Sequence, residues 1–125
     1  MAYTILIVDD STLMRQVIAK TLHVAGVAID KLLEASNGRE ALAMLRQNWV
    51  DLVFSDINMP EMNGLDLIRE MAADEVLKSV PVVVISTERS EARAAELKAV
   101  GVKEIIRKPF TPETLKTIVE RLLSG

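Results

Sequence analysis

Short, mainly apolar runs alternate along this 125-residue chain with longer segments whose apolar positions recur at helical spacing. The runs at residues 4–8, 32–35, 52–55, 81–85 and 103–107 are predicted to be β-strands. The first, third and fourth contain the stretches ILIV, LVF and VVVI, which are apolar throughout. This pattern is typical of strands buried on both faces, as in a parallel sheet that is covered by helices on each side.

The segments between the predicted strands begin with residues that commonly cap helices. Asn37 and Glu40 have the spacing of a capping box, and Asn63 and Asp66 repeat it before a later helix. Thr111, which is followed by a proline, predicts the start of the last helix. The apolar positions that the helices are predicted to turn toward the core are Met14, Val17, Ile18, Leu22, Ala41, Leu42, Leu45, Leu67, Ile68, Met71, Leu115, Ile118, Val119 and Leu122.

The helix predicted at residues 91–100 differs from the other four in its apolar face. Most of the apolar positions there are alanines, with Leu97 and Val100 as the larger side chains. Alanine buries little apolar area, so this helix is expected to be held less firmly than the others.

The order of these elements predicts the fold class. Five β–α units in strict alternation indicate an α/β protein, a doubly wound (βα)5 fold with a five-stranded parallel sheet and helices on both faces. We expect one domain over residues 1–125, with no output domain after the last helix. Functional groups of such folds gather at the carboxyl ends of the strands.

Composition and charge narrow the range of partners. The net charge is −3 and the isoelectric point is near 5.2, which argues against direct binding of nucleic acid or an anionic membrane. The chain has no cysteine, so thiol chemistry and thiolate zinc sites are excluded. The amino-terminal sequence MAYTILIVDD has no basic segment, and its apolar run stops at Asp9. We therefore expect no signal peptide, no membrane insertion and a cytoplasmic location.

Polar and charged residues follow four of the five predicted strands. Asp9 and Asp10 come after the first strand, Asp56 after the third, Ser86 after the fourth and Lys108 after the fifth. Taken singly, each has a simple structural interpretation, such as a helix cap, a turn or a solvated lysine. Taken together, they are predicted to meet at one edge of the sheet.

Three carboxylates at one edge repel one another and require a cation. Two unit charges about 4 Å apart cost roughly 4 kcal/mol at an effective dielectric constant near 20. Lys108 supplies one positive charge, and an oxygen-only ligand set favours Mg²⁺ as the source of the others. A carboxylate beside Mg²⁺, a hydroxyl and a lysine can accept a phosphoryl group, because the cations neutralise charge on the phosphoryl oxygens.

With these residues in order, the chain resembles the receiver domains of response regulators, of the CheY type. The matching elements are Asp9–Asp10 after ILIV, Asp56 in DINMPEMNG, Ser86 after VVVI and Lys108 in KPF. The resemblance implies the flavodoxin-like strand order 2-1-3-4-5, for which CheY is a standard example. It also implies a phosphoprotein of a two-component regulatory system, with chemotaxis as the expected pathway.

The resemblance assigns a role to each site residue. Asp56 would accept the phosphoryl group from a phosphohistidine on a histidine kinase. Asp10 and Asp56 would bind Mg²⁺ directly with the backbone carbonyl of Asn58, and Asp9 would act through a metal-bound water. Ser86 and Lys108 would hold the phosphoryl oxygens, with a cis peptide bond between Lys108 and the proline that follows it.

The resemblance also implies how the signal leaves the molecule. Phosphorylation would shift the surface formed by the fourth helix, fifth strand and fifth helix, which would control a downstream protein partner. The chain would catalyse at most its own phosphorylation and dephosphorylation, and would be a monomer when unphosphorylated.

Two positions depart from the usual receiver pattern. Ile105 stands where an aromatic residue commonly couples to phosphorylation, and its β-branched side chain has no ring or hydroxyl. Thr87 stands where a smaller residue is usual, and we expect it to narrow access to Asp56. Asn58 and Glu88 occupy positions that tune self-dephosphorylation in the family.

Several alternatives remain open from the sequence. The chain could be a phosphorelay intermediate, an excised receiver of a longer regulator or a receiver-like scaffold that acts without phosphorylation. A phosphatase of the haloacid-dehalogenase type uses similar groups but needs a second acid two residues after its nucleophile, where this chain has Asn58.

Overall fold

Strands and helices alternate in the computed structural model, which describes residues 2–87 and 91–123. The strands are β1 Tyr3–Val8, β2 Ile29–Ala35, β3 Leu52–Ser55, β4 Val82–Ser86 and β5 Glu104–Arg107. The helices are α1 Thr12–Val24, α2 Gly38–Gln47, α3 Gly64–Ala72, α4 Glu91–Ala99 and α5 Pro112–Leu123, and a 3₁₀ turn at Leu77–Ser79 precedes β4. Within these ranges no helix is both long and apolar enough to cross a membrane.

The five strands form one parallel sheet in the order β2-β1-β3-β4-β5, so the predicted fold class and strand order are confirmed. The central strands β3 and β4 are buried at every position. The edge strand β2 begins at Ile29, earlier than predicted, because Ile29 pairs with Tyr3 of β1. Two exposed charged residues, Asp30 and Lys31, interrupt the apolar pattern there, so the sequence pattern does not indicate the start of the strand.

The sheet separates two apolar clusters, one on each face. Residues of β1 alternate between them: Ile5 and Ile7 join the cluster under α1 and α5, whereas Leu6 and Val8 join the cluster under α2, α3 and α4. This alternation follows from the two-residue period of a strand. Both faces of β1 are therefore covered, as its uninterrupted apolar sequence predicts.

The predicted caps of α2, α3 and α5 are present. The side chain of Asn37 accepts a hydrogen bond from the Glu40 amide at 2.9 Å, and that of Asn63 accepts from the Asp66 amide at 2.9 Å. The hydroxyl of Thr111 accepts from an amide in the first turn of α5. The Glu40 carboxylate does not close the predicted capping box on the Asn37 amide; it accepts from the Ser36 amide instead.

The prediction that Val17 lies in the core is wrong. Ile18 and Leu22 of α1 are buried and Met14 is partly buried, whereas the side chain of Val17 is 41% exposed. Positions 14, 18 and 22 define one stripe of the helix, and position 17 lies about 100° around the axis from position 18. Val17 is therefore directed away from the sheet.

Helix α4 is weakly anchored, as its alanine-rich face predicts. Leu97 is the one buried residue recorded for this helix, whereas α5 buries Leu115, Ile118 and Val119. The helix ends at Ala99, and Val100 lies in the turn that follows it, packed against the apolar cluster under α2 and α3.

Candidate functional site

The site lies at the carboxyl edge of the sheet, where β1 and β3 are neighbours. In this strand order the connection from β1 leads to β2 on one side, while β3 lies on the other, so the crevice between them is a topological switch point. Asp9 and Asp10 follow β1, and Asp56 follows β3. The fold therefore brings together the three acids that the sequence singled out.

The three carboxylates are close enough to share one cation. One oxygen from each of Asp9, Asp10 and Asp56 can be chosen so that all three lie within 4.8 Å of one another. Asp9 is buried, Asp56 is half-buried and Asp10 is exposed, so the cluster opens to solvent on the side of Asp10.

Backbone hydrogen bonds fix the two more buried acids. The amide of Asp9 donates to the carbonyl of Ala35, and its carboxylate Oδ1 accepts from the amide of Ser11 at 2.9 Å. The amide of Asp56 donates to the carbonyl of Val8, and its Oδ1 accepts from the amide of Ile57 at 2.8 Å. Each acid is thus tied to the strand beside it and to the loop that follows it.

The environment opposes ionisation of both fixed acids. Burial is the main cause that raises the pKa of Asp56, and the charge of Asp10 raises it further. Burial also raises the pKa of Asp9, with the charges of Asp56 and Asp10 acting in the same direction. Lys108 acts in the opposite direction at both carboxyls but does not cancel the effect. A divalent cation at this edge would offset the remaining free-energy cost of ionising the two acids.

Ser86 and Lys108 complete the edge from β4 and β5. The ammonium nitrogen of Lys108 lies 3.9 Å from Asp9 Oδ2, and its side chain is 19% exposed. The amide of Lys108 donates to the carbonyl of Ser86 at 3.0 Å, which joins the ends of the two strands. Ser86 is buried. The predicted cis peptide bond between Lys108 and Pro109 is present.

The loop after Asp56 requires glycine at the start of α3. The amide of Gly64 donates to the carbonyl of Ile57 at 2.7 Å, and a Cβ atom at position 64 would lie 2.3 Å from the carbonyl oxygen of Asp56. The carbonyl of Asp56 itself accepts a hydrogen bond from the Ser55 hydroxyl at 2.8 Å. The backbone of the acid is therefore held from two sides.

A contact between this loop and α2 was not predicted from the sequence. The side-chain amide of Asn37 donates to the Glu61 carboxylate at 3.3 Å, and the amide of Gly38 donates to the carbonyl of Met62 at 2.9 Å. Glu61 has a φ of 64°, a conformation that is uncommon for residues other than glycine. The sequence pattern predicts only the helix-capping role of Asn37, because its second contact depends on the folded path of a distant loop.

The remaining predicted positions lie around this edge. Asn58 is exposed in the loop after Asp56, and Thr87 is exposed directly after Ser86. Ile105 is partly buried, pairs with Val84 of β4 and packs against the cluster under α2, α3 and α4. Glu88 lies outside the described residues. The proposed role of the Asn58 carbonyl and the effect of Thr87 on access stay predictions.

A cavity of about 400 Å³ lies at the other end of the sheet, lined by residues that include Trp49, Pro81 and Lys103. These residues precede β3, β4 and β5, whereas the acids follow β1 and β3. This cavity and the acidic edge are therefore at opposite ends of the sheet.

The fold and this set of side chains define a receiver domain, and comparison with known proteins agrees. The chain matches the response regulator receiver domain family over residues 5–120, and it belongs to that family. It is 42% identical over 120 residues to chemotaxis protein CheY1 of Helicobacter pylori, covering 95% of each chain. It is 40% identical to chemotaxis protein CheY-3 of Vibrio cholerae, covering 94% of this chain and 89% of the relative.

Solved structures give the same result. The crystal structure of Vibrio cholerae chemotaxis protein CheY4 matches with a TM-score of 0.87 at 36% sequence identity, covering 98% of this chain and 100% of that one. The receiver-domain resemblance in the sequence is thereby confirmed, and the relatives that match the chain over nearly its whole length are named as chemotaxis proteins.

Proposed function

We propose that this protein is a phosphorylation-controlled switch in which Asp56 accepts a phosphoryl group from the phosphohistidine of a histidine kinase. One observation carries the proposal: three carboxylates converge within 4.8 Å at an edge to which Lys108 also contributes its ammonium group. The functions of the relatives, which are named as chemotaxis proteins, support a downstream protein target of the chemotaxis type.

The donor set at this edge fits Mg²⁺. Carboxylate oxygens are hard ligands, and burial together with mutual repulsion raises the pKa of two of the acids, so a divalent cation relieves an existing penalty. Asp10 and Asp56 would bind it directly with the backbone carbonyl of Asn58, and Asp9 would bind through a water. When bound, Mg²⁺ would neutralise negative charge on the carboxylates and on the phosphoryl oxygens.

Backbone and side-chain groups of this protein would position the reacting atoms for the transfer. The Ile57 amide holds one carboxylate oxygen of Asp56 and so fixes the carboxylate for attack. An oxygen of Asp56 forms a bond to phosphorus while the bond from phosphorus to the donor imidazole nitrogen breaks, and the imidazole leaves with the electron pair of that bond. Lys108 would pair with a phosphoryl oxygen, and the Ser86 hydroxyl would donate a hydrogen bond to another.

The output would arise at the surface of α4, β5 and α5. Leu97 is the one buried residue recorded for α4, so we expect changed contacts of Ser86 and Lys108 to shift this helix more readily than the better anchored helices. We propose that this surface binds the downstream target, and that the chain acts on no substrate other than its own phosphoryl group. Ile105 would contribute through packing, since it has no hydroxyl with which to bond.

Incubation with acetyl phosphate and Mg²⁺ tests the proposal. We expect a labile adduct of one phosphoryl group by intact-mass spectrometry, lost in Asp56→Asn and retained in Asp30→Asn, which removes an exposed carboxylate from β2. The absence of an adduct from acetyl phosphate and from histidine kinases would favour a scaffold that acts without phosphorylation. Turnover of a generic phosphoester would instead favour a phosphatase.

A further inference from the structure

The guanidinium group of Arg15 connects three parts of the molecule beside the acidic edge. Its Nη1 donates to the backbone carbonyl of Asp9 at 2.6 Å, and its Nε donates to the Glu34 carboxylate on β2 at 2.9 Å. Its Nη2 donates to the hydroxyl of Thr12 at 3.2 Å. The side chain is only 15% exposed, so this cation is held in place by its contacts.

The bond to the Asp9 carbonyl acts on Asp10 as well. The carbonyl of Asp9 and the amide of Asp10 belong to one planar peptide unit, so a bond at the carbonyl fixes the plane from which the Asp10 side chain emerges. The amide of Asp9 is held by Ala35, the neighbour of Glu34 on β2. Arg15 and β2 thus fix both backbone groups of Asp9 and orient the first peptide unit of the loop.

The ion pair with Glu34 accounts for only one of the three contacts that the Arg15 guanidinium makes, since its other two acceptors are an uncharged carbonyl and a hydroxyl. A cation close to a helix N-terminus interacts unfavourably with the helix dipole, and Arg15 lies at the start of α1. The charges that shift the pKa of Asp9 are those of Asp56, Lys108 and Asp10. The guanidinium is therefore placed where its geometry, with several donors in one plane, is useful.

We propose that Arg15 is a positioning residue that holds the Asp9–Asp10 peptide in the orientation needed to bind a divalent cation. This inference rests on the proposed function, because it concerns Mg²⁺ binding at the same edge. Asp10 is the exposed member of the cluster. Loss of the guanidinium allows the peptide unit to rotate and carries the Asp10 carboxylate away from the other two acids.

The direction in which loss of Arg15 changes the affinity for the cation separates a positioning role from an electrostatic one. Removal of a positive charge near a cation site tightens cation binding if only charge matters. Removal of a positioning residue weakens it, and loss of a group that orients a metal ligand typically weakens affinity by roughly 10- to 100-fold.

Calorimetric titration with Mg²⁺ tests the inference. We expect Arg15→Gln to raise the Kd for Mg²⁺ about 10-fold. Arg15→Lys keeps the positive charge but loses the planar set of donors, and we expect it to raise the Kd as well. Lys20→Gln makes the same charge change at an exposed position of α1 and should leave the Kd within a factor of about 2. Circular dichroism in EDTA establishes that each variant is folded at the titration temperature.

Each result decides one of the two proposals. A wild-type Kd in Arg15→Lys, or unchanged or tighter binding in Arg15→Gln, overturns the positioning role while the proposed function stands. If Arg15→Gln does not fold, Arg15→Lys alone decides by the same criterion. Failure of the wild-type protein to bind Mg²⁺ overturns the proposed function, and the positioning role with it.

Discussion

At the scale of single residues, the two fixed acids destabilise the folded chain, a cost that the proposed function explains. Burial raises the pKa of both Asp9 and Asp56, so their ionised forms destabilise the folded chain in the absence of a cation. A site selected only for stability would not contain them. Two buried or half-buried acids at one edge are what the proposed phosphoacceptor with a divalent cation requires.

Replacement of Asp56 by asparagine is predicted to stabilise the metal-free protein at neutral pH. The change removes a partly buried charge that is repelled by Asp10, and we expect the free energy of unfolding to rise by about 1 kcal/mol, the order of a charge interaction at a partly exposed site. Urea denaturation in EDTA measures the difference. Asp30→Asn, at an exposed position of β2, should change little.

The pH dependence of this effect has a definite sign. Because the pKa is raised on folding, the folded protein binds more protons than the unfolded chain above the ordinary value of 3.8. The free energy of unfolding therefore falls as pH rises through the folded pKa, and Asp56→Asn should flatten this fall. A gain from Asp56→Asn that is as large near pH 4 as at about pH 7 would contradict the prediction.

The site residues predictable from the sequence are those that end a strand or follow it within three residues. Asp9, Asp10, Asp56, Ser86 and Lys108 could be found because parallel strands bring their carboxyl ends to one edge. The role of Arg15 could not be found in this way, because its main contact is a backbone carbonyl, and no residue type marks that carbonyl as its partner.

At the scale of elements, the loop between β3 and α3 holds a strained residue. Glu61 has a φ of 64°, and the amide of Met62 donates to the carbonyl of Pro60 at 2.7 Å across it, so the chain makes a tight turn there. The neighbouring contacts with Asn37 and Gly38 hold this turn against α2. The strain is thus maintained in the loop that follows the acid that is proposed to react.

Glu61→Gly is predicted to stabilise the protein. Glycine adopts positive φ without steric cost. We expect the free energy of unfolding to rise by about 1 kcal/mol, a value that allows for loss of the long hydrogen bond from Asn37. Glu70→Gly, at an exposed position within α3, should destabilise by roughly 0.5–1 kcal/mol. Thermal and urea unfolding check both, and a loss of stability in Glu61→Gly would show that the contact with α2 outweighs the strain.

Helix α4 is predicted to open more readily than α5. The described part of α4 buries Leu97, whereas α5 buries three apolar side chains over its length. Hydrogen exchange should therefore show faster exchange of the amides of residues 95–99 than of residues 116–120, at least about 10-fold, which corresponds to roughly 1.4 kcal/mol in opening free energy. Equal protection of the two helices would remove the structural basis for a shift of α4.

Helix positions were predictable to the extent that their apolar stripes were clear. The stripe of α5 was correct at Leu115, Ile118 and Val119, which recur at helical spacing and are buried. In α1 the apolar side chains extend around more of the helix, so the pattern alone could not separate the buried Ile18 from the exposed Val17. Only the direction in which the helix packs on the sheet decides between them.

At the scale of the whole molecule, the same two strands carry the site and form part of the core. Strands β1 and β3 contribute side chains to the apolar clusters on both faces of the sheet, and the three acids lie at their ends. The doubly wound sheet could be predicted because strict alternation of strands and helices allows few other arrangements. The strand order came from the receiver-domain resemblance, because periodicity does not determine which strands are neighbours.

Because of this arrangement, cation binding at the edge is predicted to stabilise the entire domain. At a free Mg²⁺ concentration ten times the Kd, the free energy of unfolding should rise by about 1.4 kcal/mol if the unfolded chain does not bind the ion. Urea unfolding at increasing Mg²⁺ concentrations measures the rise, with ionic strength held constant by a monovalent salt. Asp56→Asn should lose most of it, whereas Asp30→Asn should keep it, since its carboxylate lies outside the cluster. An equal rise in both variants would mean that Mg²⁺ acts by general screening, and that the three carboxylates do not form one site.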